Sequence, residues 1–341
     1  MKIFLLLFLA VIGFVFAVGG CGAEPSPTAT SAPTSPPPMP TSAPPTPTPI
    51  PPTPTPPPPT ATSAPPTETP IPPTPTRTPR PTRTPTATVT PRPTLPPGTQ
   101  VTTFSIVYNN VPYDSALMTA WGFACLVQTE AGTVLFDTGG DGGRLLRNME
   151  QLGLDPQAID AVVLSHIHAD HTGGLERLLD TGVRPTVYVP AAFPAAFKDR
   201  VRERTELVEV TDSLEILPGM YSTGEVRPNV VEQALVVETG EGVVVLTGCS
   251  HPGVVNMVRQ AQEVVAGEIA LVTGGFHLGE ASRAQIRSII TDLKNLGVRQ
   301  AVPSHCSGDL AMEMFAEAFD VDFVAGLGWI ITMDADNITT N

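Results

Sequence analysis

Cysteine is too scarce here to build a disulfide framework: across 341 residues only Cys21, Cys125, Cys249 and Cys306 occur. Cations are also few. Nineteen Lys and Arg stand against 33 Asp and Glu, a formal charge of −14, which argues against a nucleic-acid partner. Long apolar runs are missing apart from Ile3–Val18, which is shorter than a comfortable membrane span. Histidine is rare as well, and its six residues are confined to four short motifs.

Lys2, the apolar run and then Val18-Gly19-Gly20-Cys21 read as an export leader over residues 1–20. Val-Gly-Gly-Cys resembles a bacterial lipobox, which implies cleavage before Cys21 and lipidation of that residue. An uncleaved anchor or an ordinary secreted leader remain the other readings. All three carry the rest of the chain across the membrane, and the lipobox reading leaves it extracytoplasmic and tethered to the cell membrane by lipid.

Residues 21–99 are almost entirely Pro, Thr, Ser and Ala. Thirty-one of the forty prolines lie between Ala23 and Pro97, which rules out helix interiors and central strands there. With few large apolar residues to offset the entropy of ordering, the segment reads as a disordered polyproline-II-type stalk. Fully extended at about 3.1 Å per residue it would reach on the order of 200 Å. Arg77, Arg80, Arg83 and Arg92 belong to it, so the segment beyond residue 99 is more acidic than the whole chain.

Residues 100–341 suffice for one large domain. Apolar, β-branched runs recur at 104–108, 124–128, 133–136, 161–164, 186–189, 234–237, 243–246 and 269–272, and read as buried strands. Helical spacing fills the gaps. In 281–296, Ile286, Ile289, Ile290, Leu293 and Leu296 share one face before Gly297. Leu145–Leu152, Leu175–Leu179, Val254–Val265 and Leu310–Phe319 behave similarly. Early strands joined by short turns, followed by strand–helix alternation, fit two packed sheets with helices outside.

The histidine motifs follow strand-like runs. In Ser165-His166-Ile167-His168-Ala169-Asp170-His171-Thr172-Gly173-Gly174, extended backbone puts His166 and His168 on one side. A helix expected from about Gly173 turns Asp170 and His171 towards a second position, about 3.5–4 Å away in two-metal sites. Neutral imidazoles and a carboxylate suit zinc, with iron or manganese also compatible. The remaining histidines sit in Gly248-Cys249-Ser250-His251, Gly275-Phe276-His277-Leu278 and Ser304-His305-Cys306.

His-x-His-x-Asp-His after a strand and before Thr-Gly-Gly, with Phe136-Asp137-Thr138-Gly139 upstream, resembles the metallo-β-lactamase superfamily. The downstream motifs look like one branch of it, named for a dihydropterin methyl-(ribofuranosyl)aminobenzene phosphate synthase. The resemblance spans roughly residues 101–331 and implies an α/β fold, a four-layer αββα sandwich. It also implies His166, His168 and His251 on one metal and Asp170, His171 and His305 on another, one or two ions in all. Asp137 would order the ligand loop by hydrogen bonding.

Three departures from that pattern bear on function. Gly248-Cys249 stands where a bridging Asp is expected, so Cys249, or no protein group, takes its place. His277 is an extra imidazole, open to reading as a metal ligand, a general acid or a core histidine. Trp121-Gly122-Phe123 replaces an expected His-Gly stretch. The leading expectation is hydrolysis of a small-molecule substrate by metal-activated water, with Asp170 orienting the water and His277 protonating the leaving group. Synthase-type transfer and a metal-stabilised binding module without turnover are the competing readings. Substrate specificity is expected from loops 109–118, 191–206 and 309–319, with Arg227 as an anion contact.

Overall fold

In this computed structural model, residues 101–334 and 338–341 are described. The leader, Cys21 and the stalk lie outside them. The strand-rich start forms β1 (Thr102–Asn109), β2 (Phe123–Thr129) and β3 (Gly132–Phe136), antiparallel neighbours in that order. From β3 the chain crosses through α1 (Gly142–Gln151) to β4 (Ala161–Val163). Next come α2 (Ala169–Thr172), α3 (Leu175–Asp180) and β5 (Thr186–Pro190), then α4 (Ala195–Arg202) and β6 (Leu207–Val210). β3 to β6 are parallel, as helical crossovers require.

A second sheet begins with β7 (Leu214–Leu217), β8 (Met220–Ser222), β9 (Leu235–Thr239) and β10 (Gly242–Thr247), all antiparallel. α5 (Val254–Val264) and α6 (Arg283–Asn295) then deliver β11 (Ile269–Gly275) and β12 (Gln300–Ser304) parallel to β10. After α7 (Asp309–Phe319) the chain returns to the first sheet as β13 (Ile330–Met333) and β14 (Ile338–Thr340), with β13 pairing β1. The sheet orders are β14-β13-β1-β2-β3-β4-β5-β6 and β12-β11-β10-β9-β8-β7.

Strand alternation builds the layers. β2 sends Phe123, Cys125 and Val127 into the core shared with the second sheet, and Ala124 and Leu126 into a core beneath α1 and α3. Leu145, Met149, Leu175 and Leu178 cover that outer face. α5 packs on β10 and α7 on β12, closing the opposite side. The result is the expected four-layer αββα sandwich. Ser282 and Gln285 form a capping box that starts α6, two residues later than its apolar spacing alone suggests.

Several elements differ from the sequence reading. The 191–206 segment, expected as a loop, contains α4; α7 bears out the helical spacing of Leu310–Phe319 and corrects the reading of 309–319 as a substrate loop. β12 was hidden by Pro303, which an edge strand tolerates because one side needs no ladder donor. β7 and β8, four and three residues long, are too short to carry a period-two signal.

At the end of β3 the Asp-Thr-Gly motif locks onto the ligand loop. Thr138 donates to the His171 carbonyl from both its N–H (2.8 Å) and its hydroxyl (2.9 Å). Gly174 donates to the Gly139 carbonyl at 3.0 Å, and a Cβ on Gly174 would sit 2.1 Å from the Thr138 carbonyl oxygen. Gly139, with φ of 66°, rests against the Tyr108 ring. Gly174→Ala should therefore force two backbones apart. The expected loss is about 1–3 kcal/mol, read as a lower denaturant midpoint with an unchanged slope.

Candidate metal centre

Six donor side chains meet at the strand ends between the sheets. His166 follows β4, His168 caps the N-terminus of α2, and Asp170 and His171 lie within that helix. The helix therefore begins at Ala169, earlier than the expected Gly173, because the His168 carbonyl accepts from the N–H groups of both His171 and Thr172 at 3.1 Å. From the second sheet, His251 follows β10 and His305 follows β12.

Donor atoms of His166, His168 and His251 lie within 4.8 Å of one another, as do those of Asp170, His171 and His305. Within the second group, His171 Nε2 is 3.2 Å from His305 Nε2, and Asp170 Oδ2 lies 3.5 and 3.4 Å from those atoms. In the first, His166 Nε2 and His168 Nδ1 are 3.1 Å apart. Two nitrogens on one tetrahedral zinc, each at ~2.0–2.1 Å, stand roughly 3.3 Å apart. The donor sets thus fit a divalent ion in spacing and in chemistry. Cys249 Sγ, 3.2 Å from His171 Nε2, groups with His166 and His171, one residue from each set.

Hydrogen bonding fixes which nitrogens face inward. Asp137 is fully buried and accepts from Ser165 N and Ser165 Oγ, both at 2.7 Å. It also accepts from His171 Nδ1–H at 2.7 Å. Having given its proton to Asp137, Ser165 Oγ can only accept from His166 Nδ1–H at 2.9 Å. Asn110 donates its amide to the His305 carbonyl, which turns its Oδ1 to accept from His305 Nδ1–H at 2.7 Å. Glu232 accepts from His251 Nδ1–H at 3.0 Å. Four imidazoles therefore place their protons outward and leave Nε2 lone pairs directed at the centre.

Lone pairs facing one another at such distances repel unless a cation separates them. Burial and the charge of His171 push His166 down to about 2, keeping it neutral and ready to ligate. Burial also drives His168 down, reinforced by His251. His171 shows the opposite response. Burial alone would lower it, but the Asp137 charge and hydrogen bond, with Asp170, hold it up to about 10. Asp170, despite partial burial, is held well below the usual carboxylate range by hydrogen bonds from His171 and His305.

Glu232, Asn110 and the relay through Ser165 were not anticipated. Glu232 is buried and gathers the turn after β10, accepting from the N–H groups of Cys249, Ser250 (both 2.8 Å) and His251 (2.9 Å). Its only mark in the sequence is an acid–amide pair, Glu232-Gln233, abutting the apolar run that becomes β9. Asn110 lies in the loop after β1, within the stretch expected to shape specificity.

His277, after β11, is exposed and groups with Cys249 and Cys306, its ring 4.5 Å from that of His251. It is therefore not a core histidine. The hydrogen bond with Cys306 raises His277 against the effect of its partial burial. In the thiol pair, Cys249 holds the proton and is raised, while Cys306 is drawn down to about 4 by the hydrogen bond from Cys249 and, against burial, by His277. Trp121 is 60% exposed and leans on His305, ring centroids 4.9 Å apart. Arg227 ion-pairs with Glu225 at 2.7 Å, so its charge is already partnered at the surface.

A sequence model of the metallo-beta-lactamase superfamily matches residues 122–265, the stretch holding Asp137, the His-x-His-x-Asp-His motif and His251. Over that stretch the chain is similar to the metallo-β-lactamase superfamily. Among curated proteins, the chain is similar to the 7,8-dihydropterin-6-methyl-4-(beta-D-ribofuranosyl)-aminobenzene-5'-phosphate synthase of Methanocaldococcus jannaschii. Identity is 28% over 273 residues, 65% of this chain and 93% of that protein. Among solved structures it resembles Tm1679, described as a metal-dependent hydrolase of the beta-lactamase superfamily. That match has a TM-score of 0.53 and 28% identity, covering 66% of this chain and 97% of the other. The metallo-beta-lactamase fold protein YhfI from Bacillus subtilis shares the fold, with TM-score 0.52, 16% identity, and coverage of 68% and 99%.

Removing one oxygen charge at Glu232 tests the outer hydrogen-bond layer. Glu232→Gln should weaken metal binding about 10–100-fold, measured by competition with a chromophoric chelator. Burial would raise Glu232, but the His251 hydrogen bond and the backbone N–H groups hold it down at about 2. A depressed carboxylate stabilises the fold above its unfolded pKa of about 4.3 and loses that contribution as pH falls through the folded value. The stability gap between wild type and Glu232→Gln should thus be full at neutral pH and close between about pH 4 and pH 2.

Proposed function

We infer that this protein is a metal-dependent hydrolase, most simply a zinc enzyme with one or two ions, acting on a small-molecule substrate. The observation that carries this reading is the inward set of Nε2 lone pairs, each enforced by an outward Nδ1 hydrogen bond. His166, His168 and His251 would hold one ion and Asp170, His171 and His305 the other, with Cys249 a further donor beside both groups. Zinc so held would supply Lewis acidity and lower the pKa of a nearby water towards ~7.

The chain's own groups do the rest. Asp170, partly exposed at the opening, accepts a hydrogen bond from the attacking water and aims it at the substrate. His277, exposed beside His251 and raised in basicity, donates a proton to the leaving group. Trp121 offers an apolar wall over His305 against which substrate can settle. Asp137, Ser165, Glu232 and Asn110 keep the ligand rings in one tautomer and one orientation.

A second reading, transfer chemistry on a pterin, is favoured by the 28% identity to the synthase over 93% of that protein's length. The leader, lipobox and stalk of the sequence support export and lipid anchoring at the cell surface, where a ribosyl phosphate is not normally supplied. Among the described residues no helix is long and apolar enough to cross a membrane. We propose that attachment is through the lipid on Cys21.

His168→Ala should abolish both metal uptake and turnover in the purified protein. Turnover is sought on phosphodiester, lactone and β-lactam panels and on pterin substrates. Full activity in His168→Ala would refute the ligand assignment. Activity confined to pterin substrates would favour transfer over hydrolysis, and metal without any turnover would leave a binding module.

A further inference from the structure

β10, β11 and β12 run parallel, and each carries a metal-donor residue within three positions of its end that the two triplets leave unused or only share. Cys249 follows β10, His277 follows β11 and Cys306 follows β12. Their donor atoms lie within 4.8 Å of one another. No disulfide joins the thiols, and Cys249 is buried while Cys306 is part-exposed and His277 exposed.

The backbone makes room for this grouping. A Cβ on Gly275, at the end of the middle strand, would lie 2.7 Å from Cys306 Sγ and 3.1 Å from Cys249 Cα. Its absence lets the two cysteines close over β11. His277 itself adopts φ of 54°, a left-handed conformation that costs a non-glycine residue about 1 kcal/mol or more. In that turn a ring nitrogen of His277 lies within 4.8 Å of both thiol sulfurs.

We propose that Cys249, His277 and Cys306 form a third metal site, selective for a borderline or soft ion of the zinc, cadmium or copper(I) type over magnesium or manganese. Two sulfurs and an imidazole are a soft donor set, and three protein ligands leave a fourth, solvent-facing position open. Loading forms two metal–sulfur bonds and one metal–nitrogen bond, and any thiol protons are released to water. Cys249 lies between this site and His171, so the ion would adjoin the Asp170–His171–His305 group through a shared sulfur. A filled site occupies one nitrogen of His277, so loading and proton donation from that nitrogen are alternative states of one ring. The site goes beyond the hydrolase reading and does not require it.

The test uses the full-length, reduced protein and cadmium as the probe. After equilibration and gel filtration, bound ions are counted by elemental analysis, and the ultraviolet sulfur-to-cadmium charge-transfer band is recorded. Wild type should bind about one ion more than Cys306→Ser, and the band should fall by about half or more in that variant. His277→Ala, altered at an exposed position, should lose the same ion if Cys306→Ser folds poorly. Equal ion counts and an unchanged band in both variants would overturn the proposal, as would a Cys249–Cys306 disulfide that survives reduction. His168→Ala read in the same assay reports on the histidine triplet alone, so failure there is distinguishable from failure here.

Discussion

One buried carboxylate organises this molecule. Asp137 is fully buried at the end of β3, in a left-handed conformation with φ of 58° that aims its side chain across the sheet end. Both oxygens are used, on Ser165 and on His171, and through Ser165 the same charge orients His166. Two side chains from the two donor groups are thus tied to a single acid. Gly248 permits it: a Cβ there would lie 2.0 Å from Ser165 Oγ and 3.0 Å from Asp137 Oδ2. An uncompensated buried charge costs several kcal/mol; burial raises Asp137, and the interactions with His171 and Ser165 work against that rise. A glycine on one sheet therefore allows an acid on the other to work.

Glu232 repeats the arrangement on the second sheet, accepting from three consecutive backbone N–H groups and one imidazole. The donors are held from two sides by two buried acids, each with its own strand. Left-handed backbone at Ser250, His277 and His305 shows the same economy at the three strand ends, where short turns must reverse the ring directions. Such strain persists only where surrounding contacts over-determine it. The rigid double sheet supplies those contacts.

Much of this was readable in the residues, for identifiable reasons. His166, His168, His171, His251 and His305 stood out because rare imidazoles followed apolar runs. Strands such as Val243–Leu246 announced themselves by β-branched burial on both faces. Asn110 and Glu232 did not, since a lone polar residue in a loop carries no period, and its partner lies far away: 195 residues for Asn110 and His305, 19 for Glu232 and His251. β12 was masked by Pro303, and α2 by two histidines that look extended until the His168 carbonyl is seen to start a turn. Periodicity reveals burial; it is silent on which buried acid meets which ring.

The pairing of β13 with β1 joins the two ends of the domain. A ribosome makes β1 first and β13 more than two hundred residues later. Until then one edge of β1 stands open, with unpaired N–H and C=O groups that could recruit a stray strand. The first sheet cannot be completed while the chain is still being synthesised, so folding must wait for the last strands to emerge. Loops of such length close slowly, and a chain of this design needs protection from its neighbours until β13 has docked on β1.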